Sequence, residues 1–254
     1  MADNMKTDTT YYTVLTGHER SLTLAVAADI HDLPVGADVL REIDKASPDY
    51  ILIPGDLFER GDEVMNSYDF IRSASGIAPL FFSFGNHDTR SETVLEKAGE
   101  LGLSILDDSF CDIGGIRIGG LSSGIRDGKH HAERTPPPNT GWLGEFCGFN
   151  GMKILLNHHP EYYKRFLRDL DIDIVVSGHA HGGQWRFLGR GVYAPGQGLF
   201  PGYTAGVADG RLVISRGMAN RSFLIPRINN RPELVIIRTE YRGSGVTPRQ
   251  TGKT

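Results

Sequence analysis

Short apolar runs alternate with longer amphipathic stretches along the opening part of the chain. The apolar runs are too short for helices and favour buried strands, at residues 22–28, 50–53 and 79–82. The stretches that follow them predict helices at residues 37–46, 62–73 and 91–101. Ser47-Pro48 ends the first helix, because a residue before proline is disfavoured in the helical region. This alternation predicts an α/β sheet with right-handed crossovers.

The pattern is less regular after residue 109. Residues 110–121 hold two short β runs separated by Gly114-Gly115, which is a hairpin signal. Residues 124–151 read as a long loop containing Pro136-Pro137-Pro138, and a loop of this length is usually functional or disordered. Further strands are predicted at residues 153–156, 172–176 and 234–237, with a helix at residues 161–170 and short strands after residue 185.

The length of 254 residues suits one domain over residues 1–254. Its core is expected at about 22–240, preceded by a polar lead-in with a short strand at 11–15 and followed by a flexible tail at 242–254. The net charge of -4 offers no basic excess, so no nucleic-acid partner is expected. Two cysteines, no signal peptide and no apolar run of about 18 residues predict a cytoplasmic protein without a transmembrane segment.

Metal-binding side chains follow five of the predicted strands. Because residues beyond the carboxyl ends of neighbouring strands meet at one crevice, we expect these side chains to converge. They are Asp29 and His31, then Asp56, then Asn86 with His87 and Asp88, then His158 with His159, and last His179 and His181.

The residue types narrow the chemistry of this site. Carboxylate, imidazole and amide ligands without cysteine suit Mn, Fe, Zn or Co, and they are too many for one tetrahedral zinc. Two metal ions that share an aspartate clamp an in-line displacement at phosphorus. Two divalent ions would leave positive charge after neutralisation by Asp29 and Asp56, which attracts a phosphate ester.

Five sequence blocks, taken in order, resemble the calcineurin-like metallophosphoesterase family over about residues 22–240. They are Asp29-x-His31, Gly55-Asp56, Gly85-Asn86-His87-Asp88, His158 and Gly178-His179-x-His181. Residues 177–184, Ser215-Arg216-Gly217 and Arg231-Pro232-Glu233 are similar to a branch of small bacterial phosphodiesterases of the cell-wall and lipid-sugar-nucleotide type. The family resemblance implies a four-layer α-β-β-α sandwich with two mixed sheets and helices outside.

The resemblance also implies a role for each site residue. A metal-bridging hydroxide is the expected nucleophile, and manganese is favoured over iron or zinc for the two divalent ions. His87 is expected near the leaving group, Asp88 is expected to accept its other ring N–H, and Glu59 is expected to support a ligand histidine. Asp29, His31 and His181 are implied for the first metal, Asp56 for the bridge, and Asn86, His158 and His179 for the second metal.

Several alternatives stay open at this point. His158 is preferred to His159 as the ligand, since a histidine before Pro160 can face solvent. His130 and His131 belong either to a solvated loop or to a lid over the substrate. Trp142, Phe146 and Phe149 are expected to pack the loop down, with stacking on a nucleobase as the alternative.

The preferred function is a phosphodiesterase acting on a small-molecule phosphoester, and the preference for a diester rests on the branch resemblance. The alternatives are a phosphomonoesterase or protein phosphatase, and a non-catalytic metal-binding scaffold. Scaffold members would be expected to lose ligands, whereas this chain keeps all seven and His87. One departure from the branch is Ala180, where threonine is usual. The sequence does not settle the oligomeric state, and a monomer is expected.

Overall fold

The strands and helices of the protein were located in a computed structural model. It describes residues 6–125, 135–219, 221–222, 225–244 and 250–251. The strands are β1 (Asp8–Thr16), β2 (Thr23–Val26), β3 (Tyr50–Pro54), β4 (Leu80–Ser83), β5 (Leu103–Ile105), β6 (Ser109–Ile113), β7 (Ile116–Leu121), β8 (Met152–Asn157), β9 (Ile174–Ser177), β10 (Arg186–Phe187), β11 (Arg190–Gly191), β12 (Tyr193–Ala194), β13 (Gly198–Leu199), β14 (Gly206–Ala208), β15 (Leu212–Ile214), β16 (Arg221–Ser222), β17 (Ile225–Pro226), β18 (Glu233–Tyr241) and β19 (Gln250–Thr251). The helices are α1 (Ala37–Ala46), α2 (Met65–Ser75), α3 (Glu92–Glu100), α4 (Leu143–Cys147) and a π-helix (Tyr163–Leu167), with 3₁₀ turns at His181–Gly183 and Arg242–Ser244.

Two mixed sheets form the centre of the fold. The first has the order β19-β1-β18-β2-β3-β4-β5, and the second has the order β14-β15-β9-β8-β7-β6. The strands from β2 to β5 run parallel, as do β7, β8, β9 and β15. The carboxyl ends of these parallel strands therefore open at a common edge of each sheet.

Apolar side chains between and outside the sheets produce four layers. Leu24 and Leu52 of the first sheet pack against Ile154 and Val176 of the second, and all four side chains are buried. Helices α1, α2 and α3 cover the other face of the first sheet. Helix α4 and the π-helix cover the outer face of the second sheet. The predicted α-β-β-α architecture with two mixed sheets is confirmed.

Two predicted segments differ from the structure. The polar lead-in contains β1, a nine-residue strand with alternating burial that pairs in parallel with β18. The predicted loose tail is wrong at Gln250–Thr251, which pairs with β1. Strand β1 would otherwise leave its N–H and C=O groups unpaired along the edge of the sheet, and the short strand satisfies part of that edge.

The predicted helix at residues 161–170 is a short π-helix instead of a regular α-helix. Arg168 N–H donates to the carbonyl oxygen of Tyr163 at 2.9 Å, which closes an i→i+5 bond. Hydrophobic spacing favours helix here, but it does not distinguish the two hydrogen-bond patterns. Tyr163 and Leu167 remain fully buried against the second sheet.

The long loop predicted at residues 124–151 contains helix α4, and Phe146 of that helix packs inward with Trp142 as predicted. Phe146 is fully buried, and its ring centroid lies 5.5 Å from that of Trp142. Phe149 lies beside the Arg117 guanidinium, 4.5 Å from ring centroid to Cζ. His130 and His131 fall outside the described residues. Within the ranges given above, no helix is long and apolar enough to cross a membrane.

Candidate metal centre

The loops at the ends of five strands bring all seven predicted ligands together. Oxygen and nitrogen donors of Asp29, His31 and His181 lie within 4.8 Å of one another, and so do those of Asp56, His158 and His179. The Oδ2 atom of Asp56 lies 3.2 Å from Nε2 of His158 and 3.5 Å from Nε2 of His31. Asp56 therefore lies between the two donor groups. Asn86 joins the second group, with its Oδ1 atom 3.2 Å from Nε2 of His158.

Five of the seven candidate ligands have a strained backbone conformation. The φ angle is positive at Asp29 (52°), His31 (54°), Asp56 (53°), His179 (63°) and His181 (43°). A residue with a side chain loses about 1–2 kcal/mol in this left-handed region. Such conformations persist where the surrounding structure holds them, and they cluster at functional sites. The strain supports a binding role for this edge of the sheets.

Hydrogen bonds between neighbouring loops hold the strained ligands. The N–H of His31 donates to the carbonyl oxygen of Asp56 at 2.9 Å, and the N–H of His87 donates to Oδ1 of Asp56 at 2.9 Å. The N–H of His179 donates to Oδ1 of Asp29, also at 2.9 Å. Each loop thus fixes the ligand of the next, and the two sheets are joined through Asp29.

Glycines in the sequence blocks permit this close approach. A Cβ on Gly178 would lie 2.5 Å from Oδ2 of Asp29, and one on Gly85 would lie 2.1 Å from Oδ1 of Asp56. Both distances are far below van der Waals contact. The glycines of the Gly-His and Gly-Asn-His blocks therefore leave the space into which the two ligand carboxylates project.

The structure gives Asp88 a different role from the predicted one. Its Oδ2 atom accepts N–H bonds from Gly85 at 2.6 Å and from Asp56 at 2.8 Å, and its Oδ1 atom accepts the N–H of Phe58 at 2.8 Å. Burial and the nearby charge of Asp56 raise the pKa of Asp88 to about 7. Asp88 thus ties the loop after β4 to the loop after β3. The sequence does not show this, because adjacent positions in a block need not contact each other.

Glu59 is the carboxylate that faces His87. Its Oε2 atom lies 3.7 Å from Nδ1 of His87, while its Oε1 atom lies 2.7 Å from Nδ1 of His31. Burial would raise the pKa of Glu59, but the hydrogen bond to His31 and the nearby ring of His87 outweigh it and lower the pKa to about 2. Glu59 is therefore anionic and orients both rings. The predicted support of a ligand histidine by Glu59 agrees with its contact to His31.

Neighbouring oxygen atoms hold the rings of His158 and His31 in position within the two donor groups. Nδ1 of His158 lies 2.9 Å from the carbonyl oxygen of Pro54, which directs Nε2 towards Asp56. His31 is held through Nδ1 by Glu59, and its Nε2 atom is buried without a hydrogen-bond partner. Nδ1 of His179 lies only 3.2 Å from Nε2 of His158. Nitrogen atoms this close, with carboxylate oxygens beside them, fit a shared cation.

The electrostatics of the side chains support the same conclusion. Burial lowers the pKa of His158, but the carboxylates of Asp56 and Asp29 outweigh burial and raise it to about 10. Burial would raise the pKa of Asp56, yet His158 and His31 hold it well below its ordinary value. Protonated imidazoles thus supply the positive charge that the buried carboxylates need. A divalent cation bound there would replace those protons.

His159 is buried and does not face solvent. Its Nε2 atom lies 2.7 Å from Oγ of Ser123, and its Nδ1 atom lies 3.4 Å from Oε1 of Glu161. Its ring centroid lies 4.2 Å from that of His179. His159 therefore packs against the ring of His179, while His158 makes the contact with Asp56. Neither Ser123 nor Glu161 gave a signal in the sequence.

The sequence blocks at residues 215–217 and 231–233 stabilise the site through hydrogen bonds and an ion pair. The carboxylate of Glu233 accepts the N–H of Arg216 at 2.9 Å and lies 3.1 Å from the Arg216 Nε atom. The chain continues from Arg216 to Ala219, whose N–H donates to the carbonyl oxygen of Asp29 at 2.8 Å. Arg227, which the sequence reasoning missed, is buried with Nη2 located 3.3 Å from Nδ1 of His181. These residues hold Asp29 and His181 in position.

Comparison with protein families agrees with the residues of the centre. A family profile described as calcineurin-like phosphoesterase matches residues 22–183. That range contains all seven candidate ligands and His87.

The chain is also similar to curated bacterial proteins. It is 26% identical to YpbG of Bacillus subtilis, an uncharacterized protein, over 85% of this chain and 80% of YpbG. It is 26% identical to the phosphodiesterase YaeI of Escherichia coli, over 83% of this chain and 79% of YaeI. An uncharacterized metallophosphoesterase of Helicobacter pylori is 26% identical over 58% of this chain, which spans only 39% of that protein. Among solved structures, a phosphopantetheinyl hydrolase of Mycobacterium tuberculosis is 13% identical with a TM-score of 0.39, over 96% of each chain.

Proposed function

The chain belongs to the calcineurin-like phosphoesterase family, and from this premise we propose that it is a phosphodiesterase that depends on two divalent metal ions. The observation that carries the proposal is the position of Asp56 between two groups of buried donor atoms. A single carboxylate shared by two such groups is the arrangement that a two-metal site requires.

The proposed ligand sets follow from the two donor groups. Each combines carboxylate oxygen with imidazole nitrogen and contains no thiolate, which suits Mn, Fe or Zn, with manganese favoured. The buried Nε2 atom of His31, which has no hydrogen-bond partner, supports a cation in the first group. We assign Asp29, His31 and His181 to one ion, Asn86, His158 and His179 to the other, and Asp56 to both.

The residues of the chain position the substrate and move a proton. Two bound ions would supply Lewis-acid activation of the phosphoryl group and of the attacking water. His87 lies at the partly exposed mouth of the centre, and Glu59 faces its Nδ1 atom at 3.7 Å. Glu59 thereby helps to orient the His87 ring. From Nε2, His87 would donate a proton to the leaving oxygen.

A diester is proposed over a monoester because of the similarity to YaeI, which bears the name phosphodiesterase. The presence of all seven ligands and His87 supports catalysis over a non-catalytic scaffold. Cys111 and Cys147 are both unpaired thiols, which supports the predicted cytoplasmic location.

Hydrolysis of a matched pair of aryl esters tests the proposal. The protein is loaded with Mn²⁺ and assayed with bis(p-nitrophenyl) phosphate and with p-nitrophenyl phosphate, beside a chelated sample. We expect turnover that the chelator abolishes, with a higher kcat/KM for the diester. A higher kcat/KM for the monoester would refute the diester preference. No turnover on either ester with two ions bound would favour the scaffold.

A further inference from the structure

The segment that follows His181 exposes large apolar side chains to solvent. Of the ten large hydrophobic residues that are exposed in the described part of the chain, seven lie here or directly beside it. Leu188 is fully exposed, Phe200 is 81% exposed and Leu199 is 69% exposed. A concentration of exposed apolar side chains of this kind marks an interaction site. We define this apolar hairpin surface as Trp185, Phe187, Leu188, Tyr193, Leu199, Phe200 and Ile228.

Two short hairpins present these side chains. Strands β10 and β11 are joined at Leu188-Gly189, where both residues have positive φ angles of 49° and 79°. This tight turn places Leu188 at the tip. Strands β12 and β13 pair Tyr193 with Leu199. The N–H of Val192 donates to the carbonyl oxygen of Trp185 at 2.9 Å, and the N–H of Phe200 donates to the carbonyl oxygen of Val192 at 2.8 Å, so Val192 takes part in both hairpins.

The charge of this segment differs from that of the whole chain. The protein carries 31 acidic residues and a net charge of -4, yet residues 182–208 contain no aspartate or glutamate. The same residues include Arg186 and Arg190, and Arg190 is exposed beside the tip. Arg186 closes the first hairpin by donating from Nη1 to the carbonyl oxygen of Gly182 at 2.8 Å. The surface is therefore apolar at its tips, with the exposed Arg190 beside the tip of the first hairpin and no acidic residue in the segment.

That combination complements one class of partner. Aromatic and leucine side chains enter the boundary between headgroups and acyl chains, and tryptophan and tyrosine favour this boundary. The exposed Arg190, in a segment without acidic residues, attracts anionic headgroups. We propose that the apolar hairpin surface docks the protein on the surface of a bilayer that contains anionic phospholipid.

The docking surface is rigidly connected to the metal centre. The side-chain amide of Asn230 donates to the carbonyl oxygen of His181 at 2.7 Å and to that of Gln184 at 3.1 Å. Trp185 forms an isolated bridge with Ile228. The first exposed side chain thus lies four positions after His181, in a segment fixed at both ends. A bilayer bound by the hairpins would lie close to the candidate centre.

Vesicle co-sedimentation of the full chain tests the proposal. The protein is mixed with vesicles of phosphatidylcholine alone and with vesicles containing phosphatidylglycerol. We expect binding to the anionic vesicles that weakens with salt, because the arginine contribution is screened. The double variant Leu188→Ser with Phe200→Ser should bind about a hundredfold more weakly, at about tenfold for each exposed anchor that is lost.

Matched controls separate docking from folding. Met65 is 61% exposed on α2, so Met65→Ser removes a comparable apolar side chain elsewhere and should leave vesicle binding unchanged. The double variant should keep the aryl-ester turnover of the wild-type chain, because both side chains point into solvent. Trp185 fluorescence should shift to shorter wavelength on vesicle binding, and Trp185→Phe should remove that shift.

Two outcomes would overturn the proposal. One is failure of the folded wild-type chain to bind anionic vesicles at low salt. The other is a dimer in analytical ultracentrifugation that dissociates in the double variant while vesicles bind neither form, which would assign the surface to a second copy. Both readouts are independent of catalysis, so neither outcome would count for or against the proposed phosphodiesterase activity.

Discussion

Binding of metal by this centre should release protons. Glu59 and Asp56 outweigh burial and raise the pKa of His31 to about 9, while Asp56 and Asp29 raise that of His158 to about 10. Both rings are therefore protonated at pH 7.5 when no metal is bound. A metal ion needs the neutral imidazole, so each ion must displace a proton. Filling both sites at pH 7.5 should release about two protons.

The size of this competition follows from the two pKa values. At pH 7.5 a proton with a pKa of about 9 costs about 2 kcal/mol to displace, and one with a pKa of about 10 costs about 3 kcal/mol. Because both pKa values are raised, protons compete more strongly with the metal ions as the pH falls. The apparent affinity of each site should drop about tenfold for each pH unit below its histidine pKa.

Isothermal titration calorimetry with Mn²⁺ measures this release. Titrations at one pH in buffers of different ionisation enthalpy give the number of protons released per ion. Glu59→Gln removes the carboxylate 2.7 Å from Nδ1 of His31, so it should lower the pKa of His31 and reduce proton release. Glu63→Gln, at an exposed position four residues away, should have no such effect. Release of less than half a proton in total at pH 7.5 would refute the reasoning.

Three further predictions concern single side chains. Asp56→Asn should leave at most one ion bound after dialysis, measured by elemental analysis, because Asp56 lies between both donor groups; two retained ions would contradict the shared role. His87→Ala should keep both ions but lose more turnover on alkyl than on p-nitrophenyl diesters, since only the poorer leaving group needs a proton; equal losses would argue against proton donation. Phe146→Ala should lower the free energy of unfolding by about 3–5 kcal/mol in urea titrations, because the ring is fully buried.

The sequence predicted the parts of the fold that local patterns determine. Helix α1 spans the predicted residues 37–46, because an amphipathic stretch is ended there by Ser47-Pro48. The convergence of the ligands was also predictable, since parallel strands direct their carboxyl ends to one edge. Strand β1 was predicted too short, at residues 11–15, because its full extent depends on pairing with β18, at the other end of the chain. The composition of residues 8–16 alone does not indicate such a distant partner strand.

Contacts around the ligands could not be predicted in the same way. Asp88 and Glu59 are both acids near the predicted ligands, but only the loop conformations decide which one faces His87. His159 was expected to face solvent, yet it is buried beside Ser123 and Glu161. These roles depend on side-chain direction, which sequence spacing does not fix outside regular helices and strands.

The geometry of the centre is costly for folding, and its buried carboxylates need positive charge beside them. Five ligand residues in the left-handed region cost about 5–10 kcal/mol together, at about 1–2 kcal/mol each. Asp29 and Asp56 are buried next to each other, and each needs a positive partner because an unpaired buried charge is costly. Interlocking hydrogen bonds from one loop to the next hold this arrangement in place. A chain selected for stability alone would relax these loops or replace the acids, so their presence is best explained by what the site binds.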